Sequence, residues 1–108
     1  MPTNLEKETL LKRVKQDGLV LKYASAAFRA DRQVVLAAVN QYGYALQYAS
    51  NSLKNDPEIV TTAVKKNGLV LQYASTSLRA NQAIVLAAVN QHSTALSYAS
   101  DRSKNDQK

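Results

Sequence analysis

The feature that most constrains this chain is an internal repeat with a period of 25 residues. Residues 18–42 (GLVLKYASAAFRADRQVVLAAVNQY) and 68–92 (GLVLQYASTSLRANQAIVLAAVNQH) are identical at 16 of 25 positions. Residues 43–67 match the first of these copies at nine positions, and a further copy opens with STALSYAS at Ser93. No insertion interrupts the period, so we expect a stack of similar units, each packed against its neighbours.

The second half of each unit has the pattern of an amphipathic α-helix. Val34, Val35, Ala38 and Val39 are spaced so that they lie on one helical face, and the same spacing starts again at Ile59 and Ile84. Short polar side chains suited to capping recur where these helices would begin, at Asp31, Asp56 and Asn81. Glycines recur where such helices would end, at Gly18, Gly43 and Gly68. We therefore predict structural caps at all six positions, with the glycines as C′ residues of positive φ.

The first half of each unit predicts a second, shorter helix, over residues 21–28 and their copies at 46–53 and 71–78. Leu21, Ala24 and Phe28 would share one face, while Tyr23 lies about 200° around from Leu21. A helix with two apolar sides is expected between neighbouring units. The predicted fold is all-α, a right-handed-type α-solenoid of about four 25-residue helix-turn-helix repeats in a single domain. Its extent is residues 1–100, with units at about 5–17, 18–42, 43–67, 68–92 and 93–100, and the polar residues 101–108 should fray.

The composition argues against several classes of function. The chain has no Cys and one His, which excludes a disulfide scaffold and argues against a Cys/His zinc site. Nucleotide-binding and metalloprotease motifs are also missing. We therefore predict no catalytic residue, cofactor or metal, and a protein that is not an enzyme. Absence of Cys fits a cytoplasmic location, and no apolar run reaches the roughly 18 residues of a membrane span.

A row of basic residues supplies the candidate partner-binding positions: Arg29, Lys54, Arg79 and Lys104. The row would form a positive stripe suited to an acidic protein or to phosphates. The alternative, which we favour, is that these cations stabilise helix C-termini and pair with nearby Asp residues. The net charge of +6 agrees with an anionic partner, although it is spread along the chain without a basic block.

A second row consists of aromatic residues: Tyr23, Tyr48, Tyr73 and Tyr98. Tyrosines in register could stack nucleic-acid bases, but we favour packing between units. In that case Tyr48 and Tyr73 should be buried, and Tyr98 should be more exposed. The adjoining serines should bond to local backbone. His92 is equivalent to Tyr42 and Asn67 and receives little functional weight.

These residues resemble a family of helical repeats known as domain of unknown function 4116. The resemblance rests on the pattern G-x-x-L-x-Y-A-S…L-[RK]-x-D-x-x-[IV]-V-x-x-A-V, repeated from Gly18, Gly43 and Gly68. It covers about residues 5–100, and the departures at Asn81, Ser93 and Ser103 affect mainly the last copies. The resemblance implies a helical fold and a scaffold-like role, and it brings no catalytic residue.

The function favoured by the sequence is a non-catalytic protein–protein interaction scaffold, because stacked repeats form extended binding surfaces. The alternative is binding of nucleic acid or another polyanion through the Arg/Lys row. An enzyme ranks third. The sequence predicts a protein partner and leaves nucleic acid possible, and it leaves the oligomeric state open.

Overall fold

The structure, a computed structural model, describes residues 4–99. Its α-helices are α1 (Asn4–Gln16), α2 (Ala26–Arg29), α3 (Arg32–Gln41), α4 (Pro57–Lys66), α5 (Thr76–Arg79) and α6 (Gln82–Gln91). Its 3₁₀ helices are η1 (Gly18–Tyr23), η2 (Gly43–Tyr48), η3 (Leu53–Asn55), η4 (Gly68–Tyr73) and η5 (Ser93–Tyr98). No strand occurs between residues 4 and 99, and the prediction of an all-α repeat fold is confirmed. The polar tail 101–108 and Lys104 lie outside the described residues.

The elements form two layers that run along the molecule. The longer helices α1, α3, α4 and α6 contact one another in chain order, and so do the 3₁₀ helices η1, η2, η4 and η5. The described part extends 51 × 22 × 18 Å, as expected for units added along one axis. One continuous apolar core lies between the layers, and it buries Leu21, Leu46 and Leu71 completely at equivalent positions. Burial of this kind holds the short helices together, because none of them would be stable alone in water.

The predicted second helix of each unit is wrong in its form. Residues 18–23 form a 3₁₀ helix, the backbone is extended at Ala24 and Ser25, and a single α-helical turn follows at Ala26–Arg29. Ser25 causes the break, since its hydroxyl caps the new turn by accepting the N–H of Phe28 at 3.4 Å. A 3₁₀ helix has about three residues per turn, so its side chains form three rows. Two of these rows pack, which accounts for burial on two sides without an α-helix.

The three repeated glycines follow the C-caps as predicted, but their predicted positive φ is wrong. No glycine among the described residues has a positive φ. Each glycine instead begins a 3₁₀ helix that approaches the longer α-helix of its own 25-residue unit. A β-carbon would lie 2.5 Å from the carbonyl oxygen of Ala38 at Gly18 and 2.9 Å from that of Ala63 at Gly43. At Gly68 it would lie even closer to Ala88. Glycine is therefore required here by close packing between the 3₁₀ layer and the α-helix layer.

Candidate functional site

The N-termini of the α-helices are linked from unit to unit by capping carboxylates. Oδ1 of Asp31 accepts the N–H groups of Gln33 and Val34 at 3.0 and 3.2 Å. Its other oxygen forms an ion pair with Nζ of Lys7 in the preceding helix, at 3.0 Å. Each of these carboxylates thus stabilises its own helix and also contacts the helix before it.

Asp56 repeats this arrangement one unit later. Its Oδ1 accepts the N–H groups of Glu58 and Ile59, and its Oδ2 lies 2.8 Å from Nε of Arg32. Arg32 also bonds to the carboxylate of Glu58. In the third copy, Asn81 caps α6 by accepting the N–H of Ile84 at 3.1 Å. All three capping side chains therefore occupy the N-cap positions expected from the sequence.

The surroundings of the two capping carboxylates lower their pKa. Partial burial raises the pKa of Asp31, but the bonds from Lys7 and the backbone outweigh this effect, and its pKa is lowered from 3.8. The hydrogen bond from Arg32 is the main reason why the pKa of Asp56 is also lowered, against a smaller opposing effect of burial. The pKa of Arg32 is raised by Asp56 and then by Glu58. These groups are charged at neutral pH and bond to one another.

The ion pairs give a reason why Asn81 stands at the third capping position, where the first two have Asp31 and Asp56. Lys7 and Arg32 each precede the Asp they contact by 24 residues. Pro57 occupies the equivalent position before Asn81, so no cation is available there. Sequence reasoning missed this relation and paired the Asp residues with the row of Arg29 and its equivalents. The available signal was a cation 24 residues before Asp31 and before Asp56, and its absence before Asn81.

The predicted basic row lies against the boundaries between units. Arg29, Lys54 and Arg79 are all half-buried, and none of them forms an ion pair with a described residue. Nη1 of Arg79 donates to the carbonyl oxygen of Tyr98 in the next unit at 3.3 Å. The carbonyl oxygens of Arg29 and Lys54 accept the N–H groups of serines one unit later, both at 2.9 Å. This geometry connects units and leaves only part of each cation accessible.

The tyrosine row is partly packed. Tyr48, Tyr73 and Tyr98 are half-buried against the core, whereas Tyr23 is 77% exposed. Burial of Tyr48 and Tyr73 is thus partial, and Tyr23 at the other end of the row is the exposed member. The ring of Tyr73 contacts that of Tyr44 in the preceding unit, whereas Tyr23 has no 3₁₀ helix before it within residues 4–99.

Two further aromatic side chains, Tyr42 and Tyr44, lie close to the tyrosine row. The ring of Tyr44 lies 5.8 Å from that of Tyr42 and 6.2 Å from that of Tyr73, on the 3₁₀ side of the molecule. Because Tyr44 replaces Leu or Thr of the other units, comparing units by repetition alone passed over it.

The outer face of the α-helix layer carries an open groove of about 620 Å³ across α1, α3 and α4. Its floor includes Leu11, Leu36 and Ala37, which are half-buried and lie on the core without being enclosed by it. Lys15, Arg32 and Glu58 contribute charged side chains to its lining. Leu86 is the equivalent of Leu36 on α6 and is 55% exposed. Apolar side chains that face outward on adjacent helices can contact a ligand without disturbing the core.

No metal-binding group of three or more His, Asp or Glu side chains occurs within residues 4–99. In the same part of the chain, none of the helices has the length and apolar character needed to cross a membrane. His92 is exposed at the C-cap of α6, where its backbone N–H donates to the carbonyl oxygen of Ala88. The described surface therefore offers a groove and scattered cations as its main chemical features.

The two-layered stack of equivalent units defines an all-α tandem-repeat protein. Three overlapping segments, residues 6–54, 31–79 and 56–104, match the family described as Domain of unknown function (DUF4116). Successive matches begin 25 residues apart and each spans about two units, so the chain belongs to this family as a tandem array. No curated protein sequence and no solved structure matches the chain.

Proposed function

We propose that this chain is a non-catalytic α-solenoid module that binds a segment of a partner protein in the groove across α1, α3 and α4. The observation that carries the proposal is the groove's apolar floor. Leu11, Leu36 and Ala37 face outward on adjacent helices and remain partly accessible. A mostly apolar cleft with a few polar groups at its edge is the usual form of a binding site.

Support for a non-catalytic role comes from the potential nucleophiles. The hydroxyls of Ser25 and Ser75 accept backbone N–H groups at the start of helical turns. Their position is explained by capping, and the single His, exposed at the C-cap of α6, forms no side-chain hydrogen bond to a serine within residues 4–99. The absence of Cys and of a membrane-spanning helix in residues 4–99 supports a cytoplasmic setting as part of this proposal.

Binding of nucleic acid through the basic row is the second candidate. One contact favours it: Nζ of Lys22 lies 5.6 Å from the ring centre of exposed Tyr23 and 6.0 Å from that of Tyr48. Such a cation beside aromatic rings suits single-stranded nucleic acid. Arg29, Lys54 and Arg79 support it less, because they are half-buried between units.

A displayed library of random 12-residue peptides, selected on the purified chain, tests the first candidate. Ala37→Arg places a long side chain in the groove and removes no apolar contact. Ala27→Arg makes the same substitution on exposed α2 and is the matched control. We expect selected peptides to lose binding to Ala37→Arg by at least tenfold and to keep it with Ala27→Arg. Selection without binders, or binders indifferent to Ala37→Arg, would refute the proposed site.

A further inference from the structure

We infer that the groove selects an acidic amphipathic segment, whose apolar residues lie on the floor and whose carboxylates contact Lys15 and Lys65. This inference rests on the proposed function and adds the chemical class of the partner. It comes from a difference between the two edges of the groove. One edge is formed by the N-termini of the α-helices and the other by their C-termini.

The direction of the helices follows from the ion pairs. Lys7 and Asp31 join the starts of α1 and α3, and Arg32 and Asp56 join the starts of α3 and α4. All three helices therefore run in the same direction, and their C-terminal ends lie together along the opposite edge. Each edge carries side chains from three successive helices.

At the N-terminal edge the charges compensate one another. Asp31 is paired with Lys7, and Asp56 and Glu58 are both bonded to Arg32. A partner would have to break these contacts before it could use either sign of charge. This edge therefore contributes little selectivity, since paired exposed charges interact weakly with further ions.

At the C-terminal edge the cations are not compensated in this way. Lys15 lines the groove at the end of α1, as does Asn40 at the end of α3. Lys65 holds the equivalent position on α4 and is followed by Lys66, and all three lysines are exposed. None of them forms an ion pair with any residue in the range 4–99. The acid nearest to Lys15 in the sequence is Asp17, and one of its oxygens accepts the N–H of Leu19.

The lysines also determine the sign of the potential at this edge. Helix C-termini carry partial negative charge, so the backbone alone would repel a carboxylate. Lys15 and Lys65 reverse that sign at two of the three helix ends, which leaves an edge that attracts anions. The intervening Asn40 provides an uncharged amide that can bond to a peptide group.

The groove dimensions set the spacing of the partner's acids. Adjacent helix axes are roughly 8–10 Å apart, so Lys15 and Lys65 are separated by about two such steps, or ~16–20 Å. An extended chain advances about 3.3 Å per residue. Carboxylates five or six residues apart would therefore reach both lysines, with apolar residues between them over Leu36 and Ala37.

The floor favours polypeptide over nucleic acid as the anionic partner. Stacking of unpaired bases requires exposed aromatic rings. The residues that line the groove include none, and the tyrosine contacts Tyr42–Tyr44 and Tyr44–Tyr73 lie on the 3₁₀ side. Aliphatic side chains such as Leu11 and Leu36 suit the apolar side chains of a peptide.

The experiment uses a fluorescent synthetic peptide with leucines flanked by two glutamates six residues apart, and a copy with both glutamates replaced by glutamine. Binding to the full chain is measured by anisotropy at low and high salt. We expect the glutamate peptide to bind at least tenfold more tightly at low salt and to lose this advantage as salt rises. Lys65→Glu should remove most of the difference. Lys22→Glu, with the same change of net charge on the 3₁₀ side, should retain it.

The remaining outcomes separate the inference from the proposed function. Equal binding of both peptides, abolished by Ala37→Arg, would overturn the preference for acids and leave the groove as a binding site. If the Ala37→Arg variant still binds both peptides, or if neither peptide binds the unchanged chain, both the inference and the proposed function are overturned. A 20-nucleotide thymidine oligomer is the third probe. Tight, salt-dependent binding of this oligomer that survives Ala37→Arg would overturn the inference in favour of nucleic acid on another surface.

Discussion

The interface between the two layers and the outer face of the α-helix layer use similar side chains in different ways. Leu21, Leu46 and Leu71 recur at one position, and all are completely buried between layers. On the outer face, the position of Leu36 holds Leu, Leu, Thr and Leu in successive units, and these side chains stay partly accessible. The position of Leu21 packs between the layers, whereas the position of Leu36, although also mostly Leu, lies on a surface available for a specific partner.

The largest expected effect tests the recurring positions. Leu71→Ala removes a fully buried side chain and should reduce the free energy of unfolding by about 2–5 kcal/mol. Leu36→Ala should cost clearly less because its side chain is half-buried. Urea denaturation of both variants measures the difference. Equal losses would mean that the groove floor is part of the core.

The next effect concerns the close approach at the repeated glycines. Gly43→Ala would force a β-carbon against the carbonyl oxygen of Ala63 and should destabilise by about 1–3 kcal/mol. Ser93→Ala is the control at the equivalent exposed position, where we expect no measurable change. If Gly43→Ala were neutral or stabilising in thermal unfolding, close packing would not be the reason for glycine.

The tyrosine row gives a smaller effect that depends on position. Tyr73→Ala should cost about 1–3 kcal/mol, below the range for fully buried aromatics, because its ring is half-buried against the core. Tyr23→Ala should change stability by less than about 0.5 kcal/mol, since its side chain is 77% exposed. Chemical denaturation of the pair is the measurement, and the same loss at both sites would refute packing on the preceding unit.

The smallest effect separates capping from ion pairing. Asp56→Ala removes the cap and should destabilise by about 0.5–2 kcal/mol. Asp56→Asn keeps the cap and loses the pair with Arg32, so its loss should be smaller. The pKa of Asp56 is lowered in the folded state, so its contribution is present above the unfolded pKa and is lost as the pH falls through the folded pKa. The difference between wild type and Asp56→Asn should therefore shrink below about pH 4, near the unfolded pKa of Asp. A difference unchanged down to pH 2 would argue against this pairing.

Much of the fold could be predicted, because the period and the caps are local properties of the sequence. Asp31 and Val34 predict a helix start from a few adjacent residues. The 3₁₀ form of residues 18–23 was missed because Leu21, Ala24 and Phe28 also fit an α-helical face. The reason for Gly18 was missed because Ala38, which excludes a larger side chain, lies 20 residues further along the chain.

The candidate site was predicted less well than the fold. The sequence directed attention to Arg29 and its equivalents, since they recur, but the structure packs them between units. The groove is formed by Leu11, Leu36 and Lys15, from helices that are separate in sequence and adjacent in space. Which outward positions become concave depends on how the units stack, and single units carry no signal for it.

The most direct test of the central claim is a ¹H–¹⁵N correlation titration of the labelled chain with the tightest peptide from the library selection. If the groove is the binding surface, the largest shift changes will fall on Leu36, Ala37 and Thr62 and on their neighbours in α1. The chemical shifts of residues on the 3₁₀ side, such as Tyr44 and Tyr73, should change little. Shift changes centred on the 3₁₀ side, with α3 and α4 unaffected, would contradict binding in the groove.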